Sequence, residues 1–296
     1  MSGAVRVEAQ AKINLRLKVL ALNDSGFHSI ETVFMRLALA DRVTVAVSEG
    51  GGVELNVTGD SALVAASGPA EQNLAFVAAR YFSERAGWHP HIAIGVEKVI
   101  PVGAGLGGGS ADAAAVLRGL NALAPAPLPG AELLSLAATI GSDVPFLASD
   151  DVMAVGWGRG ERLMALPPLP ELPVILAVPP IHISTGDAYR WLGRARGAAP
   201  TPPTLPGDAF ASWDRAAAHA ENDFSDVVTA RHPVIMAIRE SLAARGARVA
   251  MLTGSGSAVF GVFDSVLEDD RGGDAAAWRE IRTFTATHVV PLERMD

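Results

Sequence analysis

PVGAGLGGGSADAAA, residues 101–115, decides the fold, and five of its fifteen residues are glycine. Glycine has no Cβ atom to keep a ligand away, so the backbone N–H groups of such a stretch can converge on an anion. Residues 110–123 continue it with a helical pattern. The first N–H groups of a helix are unpaired and lie at the positive end of its dipole. The stretch therefore predicts a phosphate-binding loop and a nucleotide-dependent enzyme.

Two common classes of phosphate loop lack residues here that they require. A Walker loop ends in Gly-Lys-Ser/Thr, and no lysine lies beside Ser110. The spacing of Gly103, Gly105 and Gly108 matches a dinucleotide fingerprint formally. That fingerprint is followed about 20 residues later by an acidic residue at a strand end, which residues 125–130 do not resemble. One alternative stays open, in which the glycines serve only close packing of the helix.

The composition excludes several other classes of function. The chain has 296 residues, 49% of them hydrophobic and 19% charged, enough for one large domain or two smaller ones. A net charge of −8 argues against an RNA-binding module or any broad nucleic-acid-binding face. The absence of cysteine excludes disulfides and thiolate metal ligands. The histidines at positions 89, 91, 182, 219, 232 and 288 show no metal-ligand spacing with carboxylates.

No apolar segment has the length of a signal peptide at the N-terminus, and no later run reaches about 18 apolar residues. We therefore expect a cytoplasmic protein without a membrane partner.

Hydrophobic patterning predicts two α+β domains with a cleft between them. The proline-rich segment at residues 161–173 marks the boundary, which gives domains at 1–163 and 164–296. Strands are predicted at 5–9, 13–20, 42–47, 53–57, 91–96, 152–157, 174–178, 249–252 and 258–263, and helices at 73–85, 110–123, 131–140 and 232–245. The strands at 42–47 and 53–57 are expected to pair as a hairpin.

Polar residues at three places could carry chemistry. Lys12 and Asn14 share one face of a predicted strand, which is either a solvated face or part of a site. Asp143, in GSDVPF, is either a helix cap or a carboxylate that orients a substrate hydroxyl. The turn TGSGS, residues 253–257, is either a plain hairpin connection or a second source of N–H groups.

These segments together resemble the GHMP kinase superfamily of small-molecule kinases. They lie in the family's order and span nearly the whole chain: AKINL (11–15), GFHSIET (26–32), the glycine loop, GSDVPF (141–146), GRGERL (158–163), NDF (222–224) and LTGSGSAVF (252–260). The combination of AKINL, GFH and GSDVPF is similar to the branch whose acceptor is methylerythritol linked to cytidine diphosphate.

The resemblance implies an N-terminal ATP-binding α/β domain and a C-terminal ferredoxin-like α+β domain. It implies ATP and Mg²⁺ as cofactors, and transfer of the ATP γ-phosphate to the 4-hydroxyl of the methylerythritol unit, with a 2-phosphate as the product. The pathway would be non-mevalonate isoprenoid biosynthesis. The expected partner is this small molecule, with no nucleic acid or membrane, and the chain would be a monomer or homodimer.

The resemblance also assigns roles to residues. Lys12 and Asp143 would be the catalytic pair. ATP would be bound by Pro101, Val102, Gly103, Ala104, Gly105, Leu106, Gly107, Gly108, Gly109, Ser110 and Ala111, with Asn73 and Lys98 at its adenosine end and Ser110 on phosphate or Mg²⁺.

The acceptor would be bound by Asn14, Phe27, His28, Thr185 and Tyr189. Asn14 would hold the methylerythritol hydroxyls, Phe27 and Tyr189 would sandwich the cytosine ring, and His28 would hydrogen-bond the ring. The family usually has tyrosine where this chain has Phe27, which keeps the stacking face and loses the hydroxyl.

Two alternatives stay open. The first is a kinase of the same superfamily with a mevalonate-type or homoserine-type acceptor. Small acceptors of that kind give a pyrimidine clamp of Phe27 and Tyr189 no purpose. The second is a non-catalytic nucleotide-binding protein on the same fold.

Overall fold

The computed structural model describes residues 2–22, 28–196, 205–268 and 277–295, which form two β-sheets and their flanking helices. In these ranges the first sheet has eight strands: β1 (Gly3–Leu22), β2 (His28–Ser48), β3 (Gly52–Gly59), β4 (His91–Lys98), β5 (Met153–Gly158), β6 (Arg162–Leu166), β8 (Glu221–Asn222) and β12 (Glu293–Met295). The second has four: β7 (Pro173–Val178), β9 (Val249–Leu252), β10 (Val259–Val262) and β11 (Arg279–Phe284).

The helices begin and end at residues that suit those positions. Asn73 caps the second helix through its side-chain oxygen, and Gly87 ends that helix in the left-handed conformation, with φ of 59°. The helices in the described residues are α1 (Ser61–Ala66), a short 3₁₀ turn (Ala70–Gln72), α2 (Leu74–Ala86), α3 (Gly108–Leu123), α4 (Gly130–Ile140), α5 (Val144–Ala148), α6 (Thr185–Arg196), α7 (Trp213–His219), α8 (Ser225–Thr229) and α9 (Val234–Ala244). Among the residues described, every helix is too short or too polar to span a bilayer.

A long antiparallel ribbon of β1 and β2 forms the centre of the first sheet. One half of β2 also pairs with β5, at residues 30–35, and the other half with β4, at residues 42–48. Helix α3 packs closely on this ribbon, because a Cβ atom at Gly119 would lie 3.1 Å from side-chain atoms of both Val5 and Val45. The ribbon therefore pairs with both β4 and β5 and carries α3, the helix that follows the glycine loop.

The predicted hairpin of residues 42–47 and 53–57 is wrong. The strand β3 pairs with β4 in parallel, and β4 lies between β2 and β3. A parallel pair needs a long connection, and the chain between β3 and β4 contains α1 and α2. Alternation in the sequence indicated the strands correctly but carries no information about their neighbours.

In the second sheet the strand order is β11-β7-β10-β9, and every pair is antiparallel. Numbered along the chain, this order is fourth, first, third, second, which is the arrangement of a ferredoxin-like sheet. The predicted two-domain α+β architecture is confirmed. The division at residues 163 and 164 remains a proposal, since β8 and β12 return from the second part of the chain to pair with β1.

Candidate active site

A cavity of about 590 Å³ lies between the two sheets. It is lined from both sides, by β1 and the glycine loop of the first part and by α6 and the second glycine turn of the other. Nine of the residues predicted from the sequence line it: Lys12, Asn14, His28, Gly105, Gly107, Ser110, Asp143, Thr185 and Tyr189. Positions far apart in the sequence thus meet at one cavity.

Lys12 lies on β1 between two register shifts of the β1–β2 ribbon. Such shifts re-aim side chains and are frequent beside active sites. Its backbone N–H donates to Leu106 O in the glycine loop at 3.0 Å, and its ammonium Nζ lies 3.3 Å from Asp143 Oδ2. The Lys12 side chain is only 3% exposed. The solvated-face alternative is therefore wrong for Lys12, because the glycine loop and Gly254 of the second glycine turn both lie against its side chain.

Asp143 directly precedes α5, at the position of a helix cap, which is the alternative role that the sequence left open. Its side chain makes no capping hydrogen bond, and 30% of it is exposed. The carboxylate faces Lys12 and lines the cavity. Chemically, the pair offers an anion for a substrate hydroxyl beside a cation for phosphate oxygens.

Asn14 is buried and bonded to protein groups on both sides of its amide. Its Oδ1 accepts from Lys12 Nζ at 2.8 Å, from Gly254 N at 3.0 Å and from Thr253 Oγ1 at 3.3 Å. Its Nδ2 donates to Thr32 Oγ1 at 2.8 Å. Asn14 therefore supports Lys12 as well as lining the cavity, and its partners Thr32, Thr253 and Gly254 could not be predicted from the sequence.

The glycine loop has left-handed backbone at Gly103, Gly105 and Gly107. A Cβ atom at Gly105 would lie 2.3 Å from Thr253 O, and one at Gly107 would lie 3.0 Å from Lys12 Cγ. Close packing, the alternative that the sequence left open, thus requires these two glycines. The first turn of α3 still has no side-chain cap, so its N–H groups remain suited to an anion.

The second glycine turn, residues 253–257, connects β9 and β10 as a hairpin. It also joins the two domains, because Gly254 N donates to Asn14 and Ala258 N donates to Ala104 O at 3.0 Å. Asn222 fixes the turn from the other side, through bonds from its Nδ2 to Leu252 O at 2.9 Å and Gly254 O at 2.8 Å. The NDF segment contributed to the family resemblance, but the resemblance assigned no role to its asparagine. In the structure this asparagine holds the second glycine turn.

His28 and Tyr189 stack at the far end of the cavity, with ring centroids 5.5 Å apart and planes 12° apart. His28 Nδ1 lies 3.2 Å from Leu20 O, and since a carbonyl only accepts, Nδ1 carries the proton. Burial and, to a smaller extent, the charge of Asp143 raise the pKa of Tyr189 to about 12, so the phenol stays a donor. Phe27 lies outside the described residues.

Lys98 and Asn73 do not line this cavity. Lys98 is buried between Asp41 and Asp112, with its Nζ 2.8 Å from Asp112 Oδ2, and it lies beneath the start of α3. Asn73 uses its side chain to cap α2. Their predicted contacts with the adenosine end of ATP stay predictions.

The fit of Mg²⁺ depends on oxygen donors at the cavity. No group of three histidine, cysteine or acidic side chains suited to a metal occurs in the part of the chain that the structure describes. Mg²⁺ bound with a nucleotide takes few protein ligands and several phosphate and water oxygens. Ser110, half-buried in the first turn of α3, and Asp143 both line the cavity with hard oxygen atoms, which fits such a site.

Comparisons with known proteins agree with this geometry. Residues 73–159 match the family model described as GHMP kinases N terminal domain, and residues 209–284 match GHMP kinases C terminal. The chain is 42% identical over 261 residues to the 4-diphosphocytidyl-2-C-methyl-D-erythritol kinase of Moorella thermoacetica, an alignment that covers 86% of this chain and 88% of that protein.

Solved structures extend the likeness to nearly the whole chain. One described as 4-(cytidine 5'-diphospho)-2C-methyl-D-erythritol kinase matches with a TM-score of 0.77 and 34% identity, covering 95% of this chain and 98% of that one. A homoserine kinase from Cytophaga hutchinsonii matches with a TM-score of 0.69 and 17% identity, covering 99% and 97%. The second likeness shows the fold alone.

Proposed function

Because the chain belongs to the GHMP kinases, and within them to the 4-diphosphocytidyl-2-C-methyl-D-erythritol kinases, we propose that it phosphorylates 4-diphosphocytidyl-2-C-methyl-D-erythritol with ATP. The reaction makes an isoprenoid precursor by the non-mevalonate route. The observation that carries the proposal is the Lys12–Asp143 pair, with 3.3 Å between Nζ and Oδ2, at a cavity also lined by the glycine loop.

The accepting hydroxyl needs a correction. The resemblance named both a 4-hydroxyl acceptor and a 2-phosphate product, and these two positions conflict. In a 4-diphosphocytidyl compound the 4-oxygen already carries the diphosphocytidyl group and has no hydrogen to lose. The acceptor is therefore the 2-hydroxyl, which gives the 2-phosphate.

Asp143 and Lys12 divide the work of the transfer. Asp143 accepts a hydrogen bond from the 2-hydroxyl, orients its oxygen and receives its proton. The hydroxyl oxygen forms a bond to the γ-phosphorus while the bond from that phosphorus to the β–γ bridging oxygen breaks, and ADP leaves with the electron pair. Lys12 lies beside the same carboxylate and stabilises the charge on the transferring phosphoryl oxygens.

The glycine loop and α3 bind the phosphates of ATP in this proposal. The N–H groups of the first turn of α3 have no side-chain cap and would donate to phosphate oxygens. The Ser110 hydroxyl would hold Mg²⁺ together with those oxygens. When bound, the ion neutralises charge on the phosphates.

The cytosine site is proposed at Phe27, His28 and Tyr189. One face of Tyr189 carries the ring of His28 at 5.5 Å, a separation of directly stacked rings with no space for a base between them. The base would therefore stack on the part of the Tyr189 ring that His28 and Phe224, a T-shaped neighbour with its centroid 4.9 Å away, leave uncovered. His28 Nε2, whose ring partner Nδ1 is bonded to Leu20 O, is the nitrogen left for the base.

The decisive experiment assays ADP release by the purified protein with ATP and each of three acceptors: the cytidine substrate, mevalonate and homoserine. We expect turnover with the first acceptor only. Lys12→Met and Asp143→Asn should each lower kcat by at least about a hundredfold, and the double variant should be little worse, since residues that act as a unit are not additive. Turnover with only mevalonate or homoserine, or wild-type kcat in Asp143→Asn, would contradict the proposal.

We propose further that the protein acts in the cytoplasm, as a monomer or homodimer. The net charge of −8 and the small polar acceptor support a diffusible enzyme. Cell fractionation tests the cytoplasmic location, and light scattering on the purified protein distinguishes a monomer from a homodimer.

A further inference from the structure

Thr32 is a fully buried residue of β2 whose hydroxyl makes two hydrogen bonds. It donates to Arg16 O at 2.8 Å and accepts from Asn14 Nδ2, also at 2.8 Å. A hydroxyl has one hydrogen, and a carbonyl oxygen can only accept. The hydrogen of Thr32 is therefore committed to Arg16, and toward Asn14 the hydroxyl can only accept.

This polarity determines which way the Asn14 amide faces. Its NH₂ end must lie toward Thr32, so its oxygen lies on the opposite side, where two neighbours can only donate. These are Lys12 Nζ and Gly254 N. The single hydrogen of Thr253 Oγ1 is divided between this oxygen and Gly105 O, each 3.3 Å away. A reversed amide would oppose its own N–H groups to an ammonium and a backbone N–H, which leaves all of them unsatisfied in a buried site.

The side chain of Thr32 has little freedom to move. A Cβ atom at Gly156, on the neighbouring strand β5, would lie 3.2 Å from Thr32 Cγ2. The β1–β2 register also shifts between Asn14 and Arg16, the two residues that the hydroxyl bridges. Packing thus holds the hydroxyl between its two partners.

We propose that Thr32 is a positioning residue for phosphoryl transfer. It fixes the Asn14 amide, which in turn fixes the Lys12 ammonium beside Asp143. Thr32 does not touch substrate, because it is fully buried. The inference rests on the proposed kinase function and names a residue through which the catalytic lysine is held.

Two variants separate the hydroxyl from the packing. Thr32→Val keeps the volume and removes the hydroxyl, whereas Thr32→Ser keeps the hydroxyl and removes a methyl group. We expect Thr32→Val to lower kcat by about tenfold or more while both KM values stay within about twofold, since Lys12 acts on the transferring group. Thr32→Ser should keep kcat within about threefold of wild type.

Thr285→Val is the matched control for a lost buried hydroxyl. Thr285 is fully buried and its Oγ1 accepts from Leu172 N at 2.9 Å, away from the cavity lining. Its substitution should lower the thermal midpoint as Thr32→Val does and leave kcat unchanged. Wild-type kcat in Thr32→Val, or equal losses in Thr32→Val and Thr32→Ser, would overturn the inference.

A readout without substrate separates this inference from the proposed function. In ¹⁵N-labelled protein, the side-chain NH₂ hydrogens of Asn14 should exchange with water at least about tenfold faster in Thr32→Val than in wild type, because their acceptor is gone. Unchanged exchange would overturn the positioning role even if the wild type phosphorylates the cytidine substrate. Absence of wild-type turnover would instead remove the proposed function and leave the exchange result to decide how Asn14 is held.

Discussion

Gly107 lies between the helix that it caps and the side chain of Lys12. Its φ is 74°, and a Cβ atom there would lie 3.0 Å from Cγ and 3.1 Å from Cε of Lys12. The position therefore needs glycine for its backbone conformation and for the approach of the lysine. From the phosphate-loop pattern alone, the only expected reason for a glycine here is the close approach of a phosphate ligand.

Gly107→Ala should consequently reduce catalysis more than phosphate binding. The added methyl group displaces the Lys12 stem, and the left-handed backbone costs a non-glycine residue about 1–2 kcal/mol. We expect kcat to fall by about tenfold or more, with a lower unfolding midpoint. Gly130→Ala is the control, since Gly130 begins α4 with open space around its Cβ position and ordinary φ. Equal kcat values for Gly107→Ala and wild type would contradict the steric argument.

At the scale of elements, the sequence predicted which strands and helices exist better than it predicted what covers them. Alternation indicated half-buried strands near residues 5–9 and 13–20, whereas β1 is one strand and residues 9–17 are all buried. The second domain covers this part of the strand, and no local pattern records a domain that folds over it. The predicted helix at residues 73–85 differs by one residue at each end from α2, because its cap and its terminal glycine are local signals.

The residues of the candidate site also differ in how far the sequence could predict them. Lys12 and Asp143 lie in the short segments AKINL and GSDVPF, from which their roles could be predicted directly. The partners that hold Lys12, at Asn14, Thr32 and Thr253, depend on pairs separated by 18 and 239 residues. Such pairs follow from sheet register and domain packing, which the pattern of a single sequence does not reveal.

Three elements meet at one buried charge cluster below the glycine loop. Asp41 of β2 and Asp112 of α3 both contact the ammonium of Lys98, at the end of β4. Asp41 also accepts from two backbone N–H groups, whereas Asp112 Oδ1 has no partner. Burial, with a smaller effect of Asp41, raises the pKa of Asp112 to about 7 against the lowering effect of Lys98. Asp112 can thus hold a proton in the folded protein at weakly acidic pH.

This cluster predicts a specific dependence of stability on pH. Because the folded pKa of Asp112 lies above its unfolded value, the folded state binds the extra proton between about pH 4 and 7, and stability falls as pH rises through that range. Asp112→Asn cannot lose that proton. The thermal midpoint of Asp112→Asn minus that of wild type should therefore increase from pH 5 to pH 8, by about 3 °C or more. Asp150→Asn, at a side chain 95% exposed, serves as the control. A constant difference would contradict the assignment of the proton to Asp112.

Across the whole molecule, residues 221–223 join the two domains. Glu221 and Asn222 form β8, which pairs in parallel with β1. The Asp223 carboxylate accepts from Val19 N at 2.7 Å, and Asn222 Nδ2 donates to Leu252 O and Gly254 O, at the start of the second glycine turn. Since Gly254 of that turn donates to Asn14, the domain contact and Lys12 share one hydrogen-bonded network.

Asn222→Ala should therefore affect activity as well as stability. Its loss leaves Leu252 O and Gly254 O without their buried donor, which costs about 1–3 kcal/mol, and releases the turn that supports Asn14. We expect kcat to fall by about fivefold or more. Asn121→Ala is the control, because Asn121 donates to Leu128 O at 3.2 Å and accepts from Leu128 N at 2.7 Å, within the first domain and away from the cavity. It should lower the unfolding midpoint similarly and leave kcat unchanged. If both variants lose activity in proportion to their loss of stability, the network does not couple the domain contact to the site. If only Asn222→Ala loses activity, the contact between the two domains holds Lys12 in position.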